Sequence, residues 1–355
     1  MSASDPALET LLLPFVSGQL QWRDDALFLR ARYASSLSSV ATGQLICEQS
    51  FKPDADELQR MGFSVSPALP ENAASKKFSL ILILPPRQRD EARVLFARAM
   101  HLCGEGGVVI AAAGNNEGAR SLEADLGKLS GNIQTLSKNK CRVFWSVSHV
   151  HAINRQLLTD WMQLDQSRPI LKGRFISRPG AFAWDHIDTA SALLAQHLPS
   201  DLTGKAADLG AGFGYLSDEL LRKCTSIISL DVYEAEYRAL QLSKLNLEQH
   251  QSRLSIQYCW HDVTGGLPHK YDVIITNPPF HAQGSMDRPD IGRRFISVAA
   301  QSLNPGGQLW LVANRHLPYE EVLAEGFDSV RMIAQQQGYK IIAAKRSSAV
   351  RHKRQ

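Results

Sequence analysis

The chain has 355 residues, of which 44% are hydrophobic and 21% are charged, and its net charge is +4 at pH 7. This length suffices for two ordinary domains, and the composition is that of a globular protein. No apolar run approaches the ~18 residues of a membrane span, and residues 1–13 lack the basic-then-apolar pattern of a signal peptide. Five scattered cysteines, never in C-x-x-C spacing, argue against a disulfide framework or a zinc site. We therefore expect a cytoplasmic protein without metal or membrane association, and the mildly basic charge permits an RNA partner.

The first part of the chain is predicted to form an α/β domain. Apolar runs of strand length alternate there with a segment of helical spacing, and a glycine cluster ends that helix before the next strand. The predicted strands are Ala26–Leu29, 43–47, Phe78–Ile83 and 108–111, and the predicted helix is 90–102.

The same order of elements recurs after residue 270. When the two regions are aligned, Leu84-Pro85-Pro86 falls on Asn277-Pro278-Pro279, and Gly106-Gly107 falls on Gly306-Gly307. Any two α/β units share a strand–helix–strand order, so it is the paired prolines and glycines that indicate duplication of a whole domain. With the junction at 160–174, the predicted domains are 1–165 and 166–355. An amphipathic helix is predicted over about 189–197, and Pro199 ends it.

A glycine loop after a short strand indicates a cofactor site. Residues 205–209 form the predicted strand, and Gly210, Gly212 and Gly214 follow it before a helix. Glycines let the backbone approach a ligand, and the helix N-terminus offers unpaired N–H groups. The spacing G-x-G-x-G, with Asp208 two residues ahead, differs from the G-x-G-x-x-G of dinucleotide folds. The loop therefore predicts S-adenosylmethionine rather than NAD.

The next predicted strand, 226–230, ends on Asp231. An acid at that position can accept both hydroxyls of an adenosine ribose. A helix predicted at 235–250 and a strand at 254–259 then lead to His261-Asp262.

The stretch Asn277-Pro278-Pro279-Phe280 follows the predicted strand Tyr271–Thr276. Its prolines end the strand and hold Asn277 at the carboxyl edge of the sheet, where α/β proteins bind ligands. The amide oxygen of Asn277 and the carbonyl of Pro278 can each accept an N–H, and Phe280 can stack on a ring. Alone, this stretch would be an ordinary proline-rich turn. Beside the glycine loop it predicts a site for a planar group that carries an amine.

The segment after this stretch is predicted to face the substrate. Residues 281–292 have no periodicity, and Arg288, Arg293 and Arg294 lie where they could contact phosphates. A solvated start of the helix predicted near 294–303 explains these arginines equally well. Arg315 and His316 follow another predicted strand, 308–312, and face the same edge. A final hairpin is predicted around Gly338.

Taken together, these motifs resemble those of the bacterial ribosomal RNA guanine-N2 methyltransferases. The resemblance is carried by Asp208-Leu209-Gly210-Ala211-Gly212-Phe213-Gly214, Asp231, Asn277-Pro278-Pro279-Phe280-His281 and residues 312–319, and its specific motifs cover 175–345. Over 1–165 the resemblance is limited to the domain organisation. The resemblance implies an α/β fold of two tandem class I (Rossmann-like) methyltransferase domains with mostly parallel seven-stranded sheets. The first would be degenerate, without a cofactor loop.

The resemblance also implies roles for individual residues. The ribose contact falls on Asp231, the adenine contact on Asp262, and the contacts to the target amine on Asn277 and Pro278. Trp184 stands where the family usually has arginine, and Ala211 where it commonly has cysteine. The implied catalytic residues are Asn277, Pro278, Pro279 and Phe280; the cofactor contacts are Asp208, Gly210, Gly212, Gly214, Asp231, Asp262 and Asn277; the substrate contacts are Phe280, His281, Arg288, Arg293 and Arg315.

The expected function is S-adenosylmethionine-dependent methylation of a guanine N2 amine in 16S rRNA, by a monomer acting on ribosomal RNA or a ribosomal subunit. A 23S rRNA guanine, an adenine N6 amine and a glutamine amide stay open, because each presents a planar amine to the same motif. An RNA-binding scaffold with a vestigial methyltransferase fold is the non-enzyme alternative. The intact glycine loop and Asn277 argue against it.

Overall fold

The computed structural model describes residues 5–69, 76–279 and 289–348. Contacts between residues divide the chain into two units. One consists of residues 1–167 with 178–180, and the other of residues 168–177 with 181–355.

The first unit contains one large sheet. Its strands are β1 (Ala26–Leu29), β2 (Leu45–Glu48), β3 (Ser64–Ser66), β4 (Phe78–Ile83), β5 (Cys103–Gly114), β6 (Gln134–Lys138) and β7 (Cys141–Val147). Its helices are α1 (Pro6–Val16), α2 (Ser35–Val40), α3 (Lys52–Arg60), α4 (Arg89–Leu102), α5 (Ala119–Ser130) and α6 (Arg155–Met162). The seven strands have the order β3-β2-β1-β4-β5-β7-β6. The first five pair in parallel, whereas β7 is antiparallel to β5 and β6.

The second unit repeats this plan. A short antiparallel pair, β8 (Arg168–Ile170) and β9 (Phe175–Ser177), precedes it. The main strands are β10 (Gly204–Leu209), β11 (Ile227–Glu234), β12 (Ser255–Trp260), β13 (Tyr271–Thr276), β14 (Leu303–Asn314), β15 (Ser329–Gln336) and β16 (Tyr339–Lys345). The helices are α7 (Thr189–His197), α8 (Tyr215–Lys223), α9 (Tyr237–Asn246), α10 (Pro289–Ser302) and α11 (Glu320–Gly326).

The seven strands of this second sheet have the order β12-β11-β10-β13-β14-β16-β15, which is the order of the first sheet. Among the described strands of this sheet, β16 pairs antiparallel with β14 and β15, and the other neighbouring strands pair in parallel. The prediction of two tandem α/β domains with mostly parallel seven-stranded sheets is therefore confirmed.

Strand β13 shows why the sheet of the second unit is buried on both faces. Val273 and Ile275 pack into a core with helices α7 and α8, whereas Ile274 and Tyr271 pack into a second core with helix α10. Successive side chains of a strand point to opposite faces, so a strand covered on both sides is apolar throughout. This arrangement leaves the carboxyl ends of the strands as the edge where polar groups gather.

The strand predicted to end on Asp231 is longer than expected. In the structure β11 continues through the buried residues Val232 and Tyr233 to Glu234. Asp231 is tolerated inside the sheet because the Tyr271 hydroxyl donates a hydrogen bond of 2.6 Å to its Oδ2. The helix predicted near 294 also begins earlier, at Pro289. A proline is compatible with the first turn of a helix.

Candidate active site

The glycine loop and Asn277 lie at one edge of the second sheet. Strands β10 and β13 are parallel neighbours, with Leu209 opposite Thr276, so the residues that follow them emerge side by side. A pocket forms there, and both Gly212 and Asn277 line it. The full set of lining residues is Phe182, Ala183, Asp188, Ser191, Gly210, Ala211, Gly212, Phe213, Tyr215, Leu216 and Asn277.

The backbone of the loop needs its glycines. Gly210, Gly212 and Gly214 have φ angles of 75°, 57° and 93°, in the left-handed region that other residues rarely adopt. A Cβ at Gly214 would lie 3.1 Å from the Ser243 Cβ, whereas one at Gly212 would meet nothing within 4 Å. The loop therefore packs closely on helix α9 at one end and leaves open space at Gly212, where a ligand can approach the backbone.

Asp208 lies beneath the loop rather than in the pocket. Its side chain has no exposed surface, and its Oδ2 accepts a hydrogen bond of 2.7 Å from the Ser217 hydroxyl in α8. Its Oδ1 is buried without a partner among the described residues. Burial raises the pKa of Asp208 to about 7, and the nearby Glu234 adds to this rise, while the bond from Ser217 opposes it. A direct contact between Asp208 and a bound cofactor is not available in this geometry.

The acid at the end of the second strand is Glu234, which the sequence analysis did not select. Its Oε2 accepts the Gly212 N–H at 2.7 Å, and its Oε1 accepts the Glu236 N–H at 2.8 Å. Burial raises the pKa of Glu234, and these backbone hydrogen bonds oppose the rise. Asp231, the predicted residue, is three positions further back, 9% exposed and bonded to Tyr271. The position expected for Asp231 is therefore held by Glu234, because β11 extends further than predicted.

Asn277 is fixed by two side chains at the start of helix α7, those of Ser191 and of the N-cap residue Asp188. Its Nδ2 donates to the Asp188 Oδ2 and to the Ser191 Oγ, both at 2.9 Å. Pro278 is buried and Pro279 is exposed. The helix predicted over about 189–197 contains Ser191 and begins directly after Asp188, but the sequence does not show that either residue contacts Asn277.

Asp262 follows β12 and caps a short turn. Its Oδ1 accepts from the Thr264 N–H at 2.9 Å and from the Thr264 hydroxyl at 2.7 Å. The Arg294 Nε in turn donates to the Thr264 carbonyl at 2.7 Å. Asp262 is thus held in place at the sheet edge, and Arg294 has a structural partner.

The predicted substrate residues are only partly described. Phe280, His281 and Arg288 lie outside the described residues. Arg293 and Arg315 are exposed, and the Arg315 N–H bonds to the Gly338 carbonyl at 2.8 Å. Their side chains are therefore accessible to a large partner.

Two aromatic residues near the pocket were not assigned a role from the sequence. Phe182 lines the pocket and is 64% exposed. The ring of Trp184 lies under the Arg168 guanidinium, at 4.6 Å from its carbon to the ring centre. The Arg168 guanidinium thus contacts Trp184, the residue that replaces the arginine usual in the family.

Within the described ranges, no group of three or more His, Cys, Asp or Glu side chains could hold a metal ion. No helix of those ranges is long and apolar enough to cross a membrane.

Comparison with known proteins gives consistent matches. The model of the methyltransferase small domain family matches residues 172–343. The ribosomal RNA small subunit methyltransferase C of Shewanella halifaxensis is 30% identical over 271 residues, covering 75% of this chain and 77% of its own. Its namesake in Psychromonas ingrahamii is 27% identical over 271 residues, covering 75% and 76%.

One solved structure covers nearly the whole chain. The T. thermophilus 16S rRNA N2 G1207 methyltransferase, in complex with AdoMet and guanosine, superposes with a TM-score of 0.79 at 24% identity, covering 96% of this chain and 92% of that one. A mostly parallel sheet with a glycine loop after one strand and Asn-Pro-Pro after its neighbour defines an α/β methyltransferase. Within that class, the chain belongs to the ribosomal RNA small subunit methyltransferase C family.

Proposed function

We propose that this protein transfers a methyl group from S-adenosylmethionine to the exocyclic N2 amine of a guanine in 16S rRNA. The observation that carries the proposal is the oriented carboxamide of Asn277, which lines the same pocket as the glycine loop. The names of the relatives in the family support the choice of 16S rRNA.

The residues present fit the cofactor. The open space at Gly212 lets a ligand reach the backbone, and the carboxylate of Glu234 is one hydrogen bond away from that glycine. We assign to Glu234 the ribose contact that the sequence suggested for Asp231, and we keep Asp262 as the contact to the adenine edge. Asp208 supports the loop from below through Ser217. When bound, S-adenosylmethionine supplies an electrophilic methyl group on a positively charged sulfur.

The contribution of Asn277 and Pro278 is orientation and electrostatics. The N2 amine of guanine is a poor nucleophile because its lone pair is delocalised into the ring. The Asn277 Oδ1 and the Pro278 carbonyl would each accept one of its N–H groups, which favours a more tetrahedral nitrogen with an exposed lone pair. Acceptors fixed in advance stabilise the developing charge without reorganising. The methylated nitrogen releases its surplus proton to water after the transfer, so this mechanism requires no titrating general base.

The substrate must bring a single base into the pocket. A paired or stacked guanine cannot reach such a site, so the target base leaves its stack. The exposed Arg293 and Arg315 are proposed to contact the RNA backbone. Stacking by Phe280 and contacts from His281 and Arg288 stay predictions.

The first unit is proposed to be a degenerate copy without a cofactor site. The pairing of Leu29 with Ile83 corresponds to that of Leu209 with Thr276, so the two sheets can be aligned residue by residue. In that alignment, residues of the first unit replace the functional groups of the second: Phe28 for Asp208, Arg30 for Gly210, Leu84 for Asn277 and Gln49 for Glu234.

The loop of the first unit has a similar left-handed backbone but a different hydrogen bond. Arg30 has a φ of 55°, close to the left-handed conformation of Gly210. The Gln49 Nε2 donates to the Ala31 carbonyl at 2.6 Å, where Glu234 instead accepts from a glycine N–H. We propose that residues 1–165 support folding and RNA binding, and that 166–355 carry the chemistry in a cytoplasmic monomer.

Mapping modified nucleosides in rRNA tests this function. The 16S and 23S rRNA of a strain lacking the protein would be digested and compared by mass spectrometry with those of its parent. We expect one N2-methylguanosine to be lost from 16S rRNA and to return with the wild-type gene. Loss from 23S rRNA, loss of an adenine N6 methyl group, or unchanged rRNA would each contradict the proposal.

A further inference from the structure

The side chain of Asn277 is held by helix α7. Its Nδ2 lies 2.9 Å from the Asp188 Oδ2 and 2.9 Å from the Ser191 Oγ. Asp188 is the N-cap of α7, and the same Oδ2 also accepts the Ser191 backbone N–H at 2.8 Å. All three side chains line the pocket of the glycine loop. The rigid start of a helix is thus connected to the residue closest to the proposed chemistry.

This contact determines which way the carboxamide faces. A carboxylate offers only acceptors, so only the amide nitrogen of Asn277 can face Asp188. The amide oxygen lies on the other side, and none of the residues that the structure describes donates to it. The orientation therefore follows from the chemistry of Asp188.

We propose that Asp188 and Ser191 are positioning residues that hold the Asn277 carboxamide with its oxygen available to the target amine. The inference rests on the proposed function, because it assigns these residues a part in the same methyl transfer. Neither residue touches the reacting atoms in this account. Each acts through Asn277.

The opposite orientation would oppose the reaction. A carboxamide rotated by half a turn would present its N–H groups to the N–H groups of the amine. The same rotation would bring its oxygen against the Asp188 carboxylate, which is repulsive. With Asp188 and Ser191 both present, only one of the two orientations is stable. Without them the inactive orientation becomes populated and the transfer rate falls.

Three variants separate positioning from other roles. Ser191→Ala removes one acceptor but keeps the backbone N–H that Asp188 caps. Asp188→Ala removes the second acceptor and the cap. Asp188→Asn keeps an acceptor, because the Ser191 N–H requires the oxygen of the new amide to stay where Oδ2 is now. Thr189→Ala and Asp185→Asn are matched controls, since both residues are exposed and neither lines the pocket.

The measurement is the single-turnover rate of methyl transfer by the full chain, with 16S rRNA from a strain lacking the protein. Cofactor affinity by calorimetry and the unfolding midpoint are measured alongside it. We expect Ser191→Ala to lower the rate about 3–10-fold and Asp188→Ala about 10–100-fold. Asp188→Asn and both controls should stay close to the wild-type rate. Cofactor affinity should be unchanged in all five variants.

A double-mutant cycle identifies the residue through which they act. If Asp188 and Ser191 work by orienting Asn277, then adding Ser191→Ala or Asp188→Ala to Asn277→Ala should cause no further loss of rate. Independent losses that multiply would overturn the proposal. A weaker cofactor affinity in both Asp188 variants would overturn it as well, because Asp188 would then be a direct cofactor contact.

The two levels of the account fail differently. A wild-type chain that transfers no methyl group to 16S rRNA refutes the proposed function. A wild-type chain that does so, with Ser191→Ala and Asp188→Ala at its rate, refutes only the positioning role.

Discussion

At the scale of single residues, the two acids of β11 have different surroundings and should respond differently to substitution. Glu234 bonds to the pocket-lining Gly212, whereas Asp231 is buried and bonds to Tyr271. Glu234→Gln should weaken S-adenosylmethionine binding about 10–100-fold, since a charge-assisted hydrogen bond contributes about 1.5–3 kcal/mol. Asp231→Asn should mainly lower the unfolding midpoint. Calorimetric titration and urea unfolding of both variants check this, and the reverse pattern would restore Asp231 as the ribose contact.

Asp208 should make stability depend on pH. Burial raises its pKa from 3.8 to about 7 in the folded chain, so the folded state binds this proton more tightly than the unfolded state. The resulting stabilisation is complete below about pH 4 and is lost as the pH rises through 7. Asp208→Asn has no proton to lose, and the difference in unfolding free energy between variant and wild type should grow in the variant's favour from pH 5 to 8. A difference that does not change with pH would contradict the assignment.

Part of the candidate site could be predicted, because some of its residues are marked by the residues next to them in the sequence. Gly210, Gly212 and Gly214 could be identified because the left-handed backbone requires them, and Asn277 because the prolines after it end the strand. The contact between Asp188 and Asn277 could not be, because it joins two elements far apart in the chain. The hydrogen bond between Gly212 and Glu234 was not predicted, for a local reason. Asp231 is an earlier acid in the same strand. The sequence does not show that Asp231 is buried or that it accepts a hydrogen bond from Tyr271.

At the scale of elements, the strongest patterns gave the most accurate boundaries. Strands β4 and β13 and helix α7 have the predicted limits, because apolar runs closed by prolines or by a capping Asp188 leave little freedom. The edge strand β6 is largely exposed and has no apolar pattern, so nothing in the sequence marked it. Its position depends on pairing with β7.

The glycine loop offers a matched pair of substitutions. Gly214→Ala would place a Cβ 3.1 Å from the Ser243 Cβ at a φ of 93°, so it should cost about 1–3 kcal/mol of stability. Gly212→Ala meets nothing within 4 Å of the new Cβ, so it should lower stability less but obstruct cofactor binding more. Urea unfolding and cofactor titration of both variants measure the two effects. Equal effects of the two substitutions on both quantities would mean that the open space at Gly212 is not used.

At the scale of the whole molecule, two sheets of the same strand order carry one predicted cofactor site. The first unit has Phe28, Arg30 and Leu84 at positions where the second has Asp208, Gly210 and Asn277. The full chain should therefore bind one S-adenosylmethionine per molecule, and Glu234→Gln should weaken that single event. The number of S-adenosylmethionine molecules bound per chain, measured by calorimetry, tests this prediction. A second binding event that survives the substitution would show that residues 1–165 hold a cofactor.

The central claim is that Asn277 takes part in methyl transfer to a guanine of 16S rRNA, and one measurement tests it most directly. The full chain and Asn277→Ala are each incubated with S-adenosylmethionine and 16S rRNA from a strain lacking the protein, and the single-turnover rate and the modified nucleoside are determined together. We predict N2-methylguanosine as the product, and a rate about 10²–10³-fold lower for the variant at unchanged cofactor affinity. A near-normal rate for Asn277→Ala, or a different methylated nucleoside, would contradict the account.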